Sequence, residues 1–143
     1  MATTEQINSV FLVDDDKIFN LIHSKTIQKE GFASNIESFV NGAEAIDKLQ
    51  QLLNDNQAEF PDLIFLDINM PVMDGWEFLD EYATLPVKAI EKCKIFILSS
   101  SIDPKDIERS KTYKTVTDFI SKPLTMEKLQ MIFSGPGNDK HKK

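Results

Sequence analysis

What most constrains the fold of this chain is an alternation. Five short runs, residues 10–13 (VFLV), 32–39, 63–66 (LIFL), 95–98 (IFIL) and 118–120 (DFI), are each followed by a stretch with helical signals. Runs as short and continuously apolar as VFLV, LIFL and IFIL suit strands buried on both faces. The run 32–39 is less cleanly patterned. The helical stretches are 17–30, with Ile18, Leu21 and Ile22 on one side, and 43–53, with Ala43, Ile46, Leu49 and Leu53 at helical spacing. A third starts at Gly75 and runs to Tyr82, a fourth is opened by Asp103 and Pro104, and the last covers 125–133. Gly31 supplies a stop after the first helix, and Asn41 with Gly42 marks a turn before the second. The segment ATLPVKAIEK is ambiguous, with Pro86 ending or kinking the third helix. Glu127 trails Thr125 by two residues, short of the three a capping box needs. Strand followed by helix, five times over, predicts an α/β domain: a parallel sheet covered on both faces.

The chain has 143 residues, which suits one domain, read here as a lead-in over 1–7, the domain over 8–133 and a loose polar tail over 134–143. No window approaches the ~18 uninterrupted apolar residues of a membrane span. The start, MATTEQINS, lacks the basic-then-apolar pattern of a secretory signal. A cytoplasmic location without membrane association is the expectation. The single cysteine, Cys93, cannot form an intramolecular disulfide or a cysteine metal cluster, and it reads as a bystander near a strand start. His23 and His141 show no metal-ligand spacing. A net charge of −7 argues against a general nucleic-acid surface, which needs clustered Lys and Arg.

Open parallel sheets bind ligands outside the carboxyl ends of their strands. Those ends carry Asp14, Asp15 and Asp16 after the first strand and Asp67 after the third. Ser99, Ser100 and Ser101 follow the fourth, and Lys122 and Pro123 the fifth. Two carboxylates about 4 Å apart repel by roughly 4 kcal/mol at an effective dielectric of about 20. Converging acids therefore raise their pKa values or hold a cation, and Mg²⁺ is the hard, oxygen-seeking ion that suits them. Taken alone, the run of three aspartates reads first as a polar cap for the next helix. Ser99 alone is an ordinary strand end, and Lys122 alone an ordinary surface lysine. Asp67 is harder to account for as a cap, because the loop to Gly75 separates it from the next helix. A carboxylate can attack a phosphoryl group to form an acyl phosphate. A cation, a lysine and a hydroxyl around the equatorial oxygens assist that transfer. Asp67, Mg²⁺, Lys122 and Ser99 would supply those parts.

The segments FLVDDD, LIFLDINMPVMDG, FILSSS and DFISKPL, in that order, resemble the receiver domain of response regulators in two-component signalling. The resemblance spans roughly 8–133 and is to the stand-alone type, similar to the bacterial chemotaxis response regulator. It implies a flavodoxin-like (βα)5 three-layer sandwich with strand order 2-1-3-4-5. It implies that Asp67 is the phosphoacceptor and that Asp14 and Asp15 bind Mg²⁺, Asp15 being preferred as the direct ligand. The backbone carbonyl of Asn69 would complete the coordination, and Asp16 would be a solvated neighbour. Ser99 would be the hydroxyl that meets the phosphoryl group, Lys122 its lysine partner, and Phe119 the aromatic switch behind that hydroxyl. The Lys122-Pro123 bond would be cis. Ser99 replaces the commoner threonine, and Phe119 the frequent tyrosine, so a phenol hydrogen bond is lost. Asn69 and Ser101 fall where family members vary and tune phosphoryl lifetime; neither is charged here. The connections LLNDNQAEFPD and YATLPVKAIEKCK look long for the family.

The implied function is Mg²⁺-dependent transfer from the phosphohistidine of a histidine kinase or phosphotransfer protein to Asp67. Small phosphodonors could substitute, and autodephosphorylation would reset the switch. Output would leave by protein contact or a further phosphoryl transfer, with a phosphorylation-dependent dimer among the options, since no helix-turn-helix or enzymatic domain follows residue 133. Two other readings stay open. Asp14 and Asp16 fit the D-x-D pattern of a haloacid-dehalogenase-like phosphatase with Asp14 as nucleophile, although the late acidic motif is missing after Lys122. A pseudo-receiver would keep the fold as a binding module without phosphorylation, although such modules lose members of the site and every position is filled here.

Overall fold

The computed structural model describes residues 7–70, 73–100 and 103–133. Its strands are β1 (Ile7–Val13), β2 (Ala33–Phe39), β3 (Leu63–Leu66), β4 (Lys94–Ser99) and β5 (Val116–Ser121). All neighbours pair in parallel, in the order β2-β1-β3-β4-β5. That is the flavodoxin-like order expected. The helices are α1 (Lys17–Lys29), α2 (Gly42–Asp55), α3 (Gly75–Tyr82), α4 (Val87–Lys92), α5 (Pro104–Ser110) and α6 (Met126–Phe133). None among the described residues is long and apolar enough to cross a membrane.

Because alternate strand residues face opposite ways, the sheet feeds two cores. Phe11, Val13, Ile64, Leu66, Ile95 and Ile97 pack with α2, α3 and α4. Val10, Leu12, Leu63, Phe65, Phe96 and Leu98 pack with α1 and α6. The central strands β3 and β4 are buried almost throughout, as their unbroken apolar runs require. The edge strands β2 and β5 are half open to solvent. That explains the weak pattern of 32–39: an edge strand has one neighbour and less cover.

Two connections expected to be long contain structure. The helix α2 runs on to Asp55, and a 3-10 turn over Gln57–Glu59 takes up much of the rest. After α3 stops, Pro86 neither ends nor kinks it but starts the separate helix α4. It is the N-cap of α4, with an extended ψ of 136°; its carbonyl accepts from Ala89 and Ile90, while its missing N–H is not needed there. Gly31 stops α1 with a φ of +68°, a left-handed conformation that glycine adopts without strain. Cys93 is buried, and burial pushes its thiol up to about 12, so it stays an inert thiol.

One helix sits differently from what its apolar stripe suggests. Ile18, Leu21 and Ile22 face outward, 68%, 56% and 45% exposed, while Asn20, His23 and Ile27 are buried. The phase is set at the helix start. Asp16 is the N-cap, its Oδ1 accepting from the N–H groups of Ile18 and Phe19. One turn on, Asn20 Nδ2 donates to the carbonyls of Asp14 (2.9 Å) and Phe39 (3.4 Å). The Asp14 carbonyl, just past β1, needs a donor in a buried place, and the side chain that supplies it turns the isoleucines and Leu21 to solvent.

Candidate functional site

The ends of the strands are aligned by backbone hydrogen bonds. Asp14 N–H donates to the Phe39 carbonyl (3.0 Å), Asp67 N–H to Val13 (2.9 Å) and Lys122 N–H to Ser99 (2.9 Å). Each of these three residues is thus fastened, just past its own strand, to the end of the strand beside it. The parallel register carries Asp14, Asp67, Ser99 and Lys122 to one edge of the sheet.

The three consecutive aspartates divide their tasks. Asp16 is exposed and caps α1, so the capping role weighed for the whole run holds for it. Asp14 and Asp15 instead join Asp67: one carboxylate oxygen from each lies within 4.8 Å of the others. Asp14 and Asp67 are each 5% exposed, and Asp15 faces solvent. The Lys122 ammonium lies 2.6 Å from Asp14 Oδ2 and 3.7 Å from Asp67 Oδ2, its side chain almost wholly buried. Its first partner here is therefore Asp14, and Asp67 is left less completely compensated. Burial first, and then the Asp14 charge, push the Asp67 carboxyl up to about 7. The Lys122 charge and the N–H of Asn69, 3.3 Å from Asp67 Oδ1, pull the other way.

Three carboxylates faced by one ammonium leave an excess of negative charge on hard oxygen donors. That donor set fits Mg²⁺, a small divalent ion that takes a few carboxylates and keeps its remaining positions for water or phosphate.

The loop after Asp67 is held close. Gly75 N–H donates to the Ile68 carbonyl (3.0 Å), and a Cβ at Gly75 would lie 2.5 Å from Ile68 Cα and 2.9 Å from the Asp67 carbonyl oxygen. Only glycine permits that approach. Asp74 then starts α3 with a capping box, its carboxylate on Glu77 N–H and the Glu77 carboxylate on its own.

The remaining expected residues lie as follows. Ser99 is fully buried at the end of β4, paired with Ser121 across β5. Asn69 is exposed, two residues past Asp67. Phe119 is half-buried on β5 opposite Ile97 and packs on the α2–α4 side. The Lys122-Pro123 bond is cis. Ser101 and the tail from 134 lie outside the described residues.

Three residues beside the site carried no expectation. The Phe19 ring lies 4.5 Å from the Lys122 ammonium and stacks on His23 with centroids 5.4 Å apart. His23 Nε2 accepts from the Leu124 N–H (3.2 Å), so its ring proton is on Nδ1. Burial holds His23 down to about 4, against the Asp14 charge and aided by Lys122. Lys128, from α6, donates to the Ser121 carbonyl (2.7 Å), Ser121 Oγ (3.1 Å) and the Pro123 carbonyl (3.2 Å). The one signal in the sequence was the four-residue spacing of Phe19 and His23, which puts them together on a helix.

Comparison with known proteins agrees with this architecture. The family described as "Response regulator receiver domain" matches residues 10–134. The chain is 31% identical over 125 residues to a two-component response regulator, ORR41, of Oryza sativa subsp. japonica, covering 87% of this chain and 91% of that protein. It is 30% identical over 134 residues to hybrid signal transduction histidine kinase L of Dictyostelium discoideum, 93% of this chain but only 7% of that much longer protein. Among solved structures, a two component response regulator from Cytophaga hutchinsonii superposes with a TM-score of 0.84 at 34% identity, covering 94% of this chain and 99% of that one. The chain belongs to the response regulator receiver domain family.

Proposed function

We propose that the chain is a phosphorylation switch in which Asp67 accepts a phosphoryl group from a phosphohistidine on a histidine kinase or phosphotransfer protein. The observation that carries this reading is the state of Asp67: a buried carboxylate at a strand end, pushed up to about 7, with Asp14, Asp15 and a lysine around it. Such an arrangement burdens the fold and is readily accounted for by chemistry. Mg²⁺ held by Asp14, Asp15 and Asp67, with the Asn69 carbonyl as a further oxygen, would neutralise charge on the phosphoryl oxygens.

In the transfer, an Asp67 oxygen attacks phosphorus and the phosphorus–nitrogen bond of the donor breaks. The bonding pair stays on the imidazole nitrogen, which takes up a proton. Phosphorylation adds roughly −1.5 to −2 charges and new acceptor oxygens. Lys122 then shifts from Asp14 to a phosphoryl oxygen, and the Ser99 hydroxyl donates to another. Phe119 moves into the space vacated behind Ser99, and the surface formed by α5, β5 and α6 changes. The two arrangements are states in equilibrium, biased by contacts that exist only in one of them.

The exposed strip Ile18, Leu21 and Ile22 begins one turn from the acidic rim. A protein that brings a phosphohistidine to Asp67 must cover that rim, and an apolar helical face on it would bury the strip. The phosphatase reading is disfavoured because Asp16, the second aspartate of its D-x-D pattern, is committed to the N-cap of α1.

The test is intact-mass analysis after incubation with acetyl phosphate and Mg²⁺, beside an EDTA control and Asp67→Asn. A single phosphoryl adduct that needs Mg²⁺ and disappears in the variant is expected. No adduct, under conditions that label another receiver, would favour a pseudo-receiver; an adduct persisting in Asp67→Asn would return attention to Asp14.

A further inference from the structure

The four-residue segment from Ser121 to Leu124 carries Lys122 into the site, and its backbone is bonded at every position. Lys122 N–H donates to the Ser99 carbonyl, and Leu124 N–H to His23 Nε2. The carbonyls of Ser121 and Pro123 both accept from the Lys128 ammonium, whose third contact is Ser121 Oγ. An ammonium has three N–H donors, and all three are committed to this one segment. A half-exposed lysine ordinarily keeps its head group in water. Here it clamps two carbonyls that flank Lys122. From the other side of the segment, His23 is fixed in α1 with its ring against Phe19, which in turn lies on the Lys122 ammonium.

We propose that His23 and Lys128 are positioning residues, which fasten the Ser121-to-Leu124 segment from α1 and α6 and so hold the Lys122 ammonium at Asp14 and Asp67. The physical need is plain. A lysine side chain has about 2 kcal/mol of rotamer entropy, so it is placed reliably only if its backbone is fixed and its stem is flanked. Neither residue touches the phosphoryl group; each acts through Lys122. The catalytic part of this inference rests on the proposed phosphorylation of Asp67.

Two measurements on the full chain test it. The first is the rate of labelling by acetyl phosphate and Mg²⁺ in His23→Ala, His23→Gln, Lys128→Met and Lys128→Arg. The Ala and Met variants should label about tenfold more slowly, the equivalent of one lost positioning hydrogen bond. Gln keeps an acceptor where Nε2 stood, and Arg keeps the donors, so both should recover most of the rate. In a Lys122→Met background the same substitutions should cost nothing further, because the residue they position is gone. Wild-type rates in Ala and Met, or losses that persist without Lys122, would overturn the inference. The second measurement is the reductive methylation rate of the Lys122 amine by peptide mass, with Lys94 as an internal standard. His23→Ala and Lys128→Met should raise it about tenfold relative to Lys94, as expected when hydrogen bonds that hold a buried group are lost. An unchanged rate would overturn the proposal. This readout decides the positioning role even if wild-type protein takes no phosphoryl group, an outcome that would sink the proposed phosphorylation of Asp67 instead. Lys128 is half-exposed, so its variants keep the test valid should His23→Ala fail to fold.

Discussion

The two faces of the sheet are built to different standards. On the face covered by α2, α3 and α4, the buried residues are the larger apolar set, with Phe11, Leu49, Phe78, Leu79 and Ile97 all essentially without exposure. On the face covered by α1 and α6 the apolar set is smaller, and α1 turns Asn20 and His23 inward beside it while leaving Ile18, Leu21 and Ile22 in solvent. One face is packed for stability. The other gives up apolar burial for hydrogen bonds that fix the ends of β1 and β2 and the Lys122 segment. The lesson is that the acidic pocket is supported mainly from one side.

The sharpest way to break this contrast is to damage the well-packed face. Leu49→Ala should cost about 3–5 kcal/mol and lower Tm by about 10–15 °C. Thermal unfolding would measure that, while the rate of acetyl phosphate labelling of the folded protein should stay at the wild-type value. A matching drop in labelling would show that the faces are not separable.

A smaller effect of opposite sign is expected at the pocket. The folded state raises the Asp67 pKa from 3.8 to about 7, so it binds the proton more tightly than the unfolded chain does. Stability contributed there is present below pH 3.8 and is lost as pH rises towards 7. In EDTA at pH 8, Asp67→Asn should therefore raise Tm by about 3–7 °C, the shift that 1–2 kcal/mol gives a chain of this size. A lower Tm would mean that the buried charge is compensated by the lysine alone.

His23 has the reverse sign. Its pKa falls from 6.5 to about 4 on folding, so the unfolded chain binds the proton more tightly. The stability it contributes is present above pH 6.5 and is lost as pH falls towards 4. Denaturant unfolding across that window should show a shallower loss for His23→Gln than for wild type. Parallel profiles would remove His23 as a titrating support of this face. The smallest stability effect belongs to the exposed strip. Leu21→Ser with Ile22→Ser should change stability by less than about 0.5 kcal/mol per site and leave acetyl phosphate labelling intact. Transfer from a phosphohistidine protein should nevertheless slow, which stopped-flow or gel-based transfer assays would detect; an unchanged transfer rate would place the donor elsewhere.

These contrasts follow the line between what was legible in the sequence and what was not. The central strands and the residues at their ends could be read because each is announced locally, by an unbroken apolar run such as LIFL and the polar residue that closes it; the order of the strands in the sheet came from the resemblance alone. The face of α1 could not, because Asp16 and Asn20 set its phase through bonds to carbonyls of β1 and β2 that no helical periodicity records. Pro86 was ambiguous for a related reason: a proline that ends one helix and one that starts the next leave the same local signal. The roles of His23 and Lys128 were invisible because no side-chain pattern records a bond to a backbone atom: His23 meets the Leu124 N–H 101 residues away, and Lys128 turns back onto the carbonyls of Ser121 and Pro123. Gly75 was read as a helix start, and its closer task, the tight return past Ile68, appears only when the loop is folded.

The central claim is that the phosphoryl group goes onto the Asp67 carboxylate. Borohydride reduces an aspartyl phosphate to the alcohol and thereby marks the position permanently. Protein treated with acetyl phosphate and Mg²⁺, reduced and mapped by peptide mass should carry homoserine at position 67 and nowhere else, and none after treatment with EDTA. Homoserine at position 14 or 15, or none at all in protein that gains the phosphoryl mass, would contradict the account.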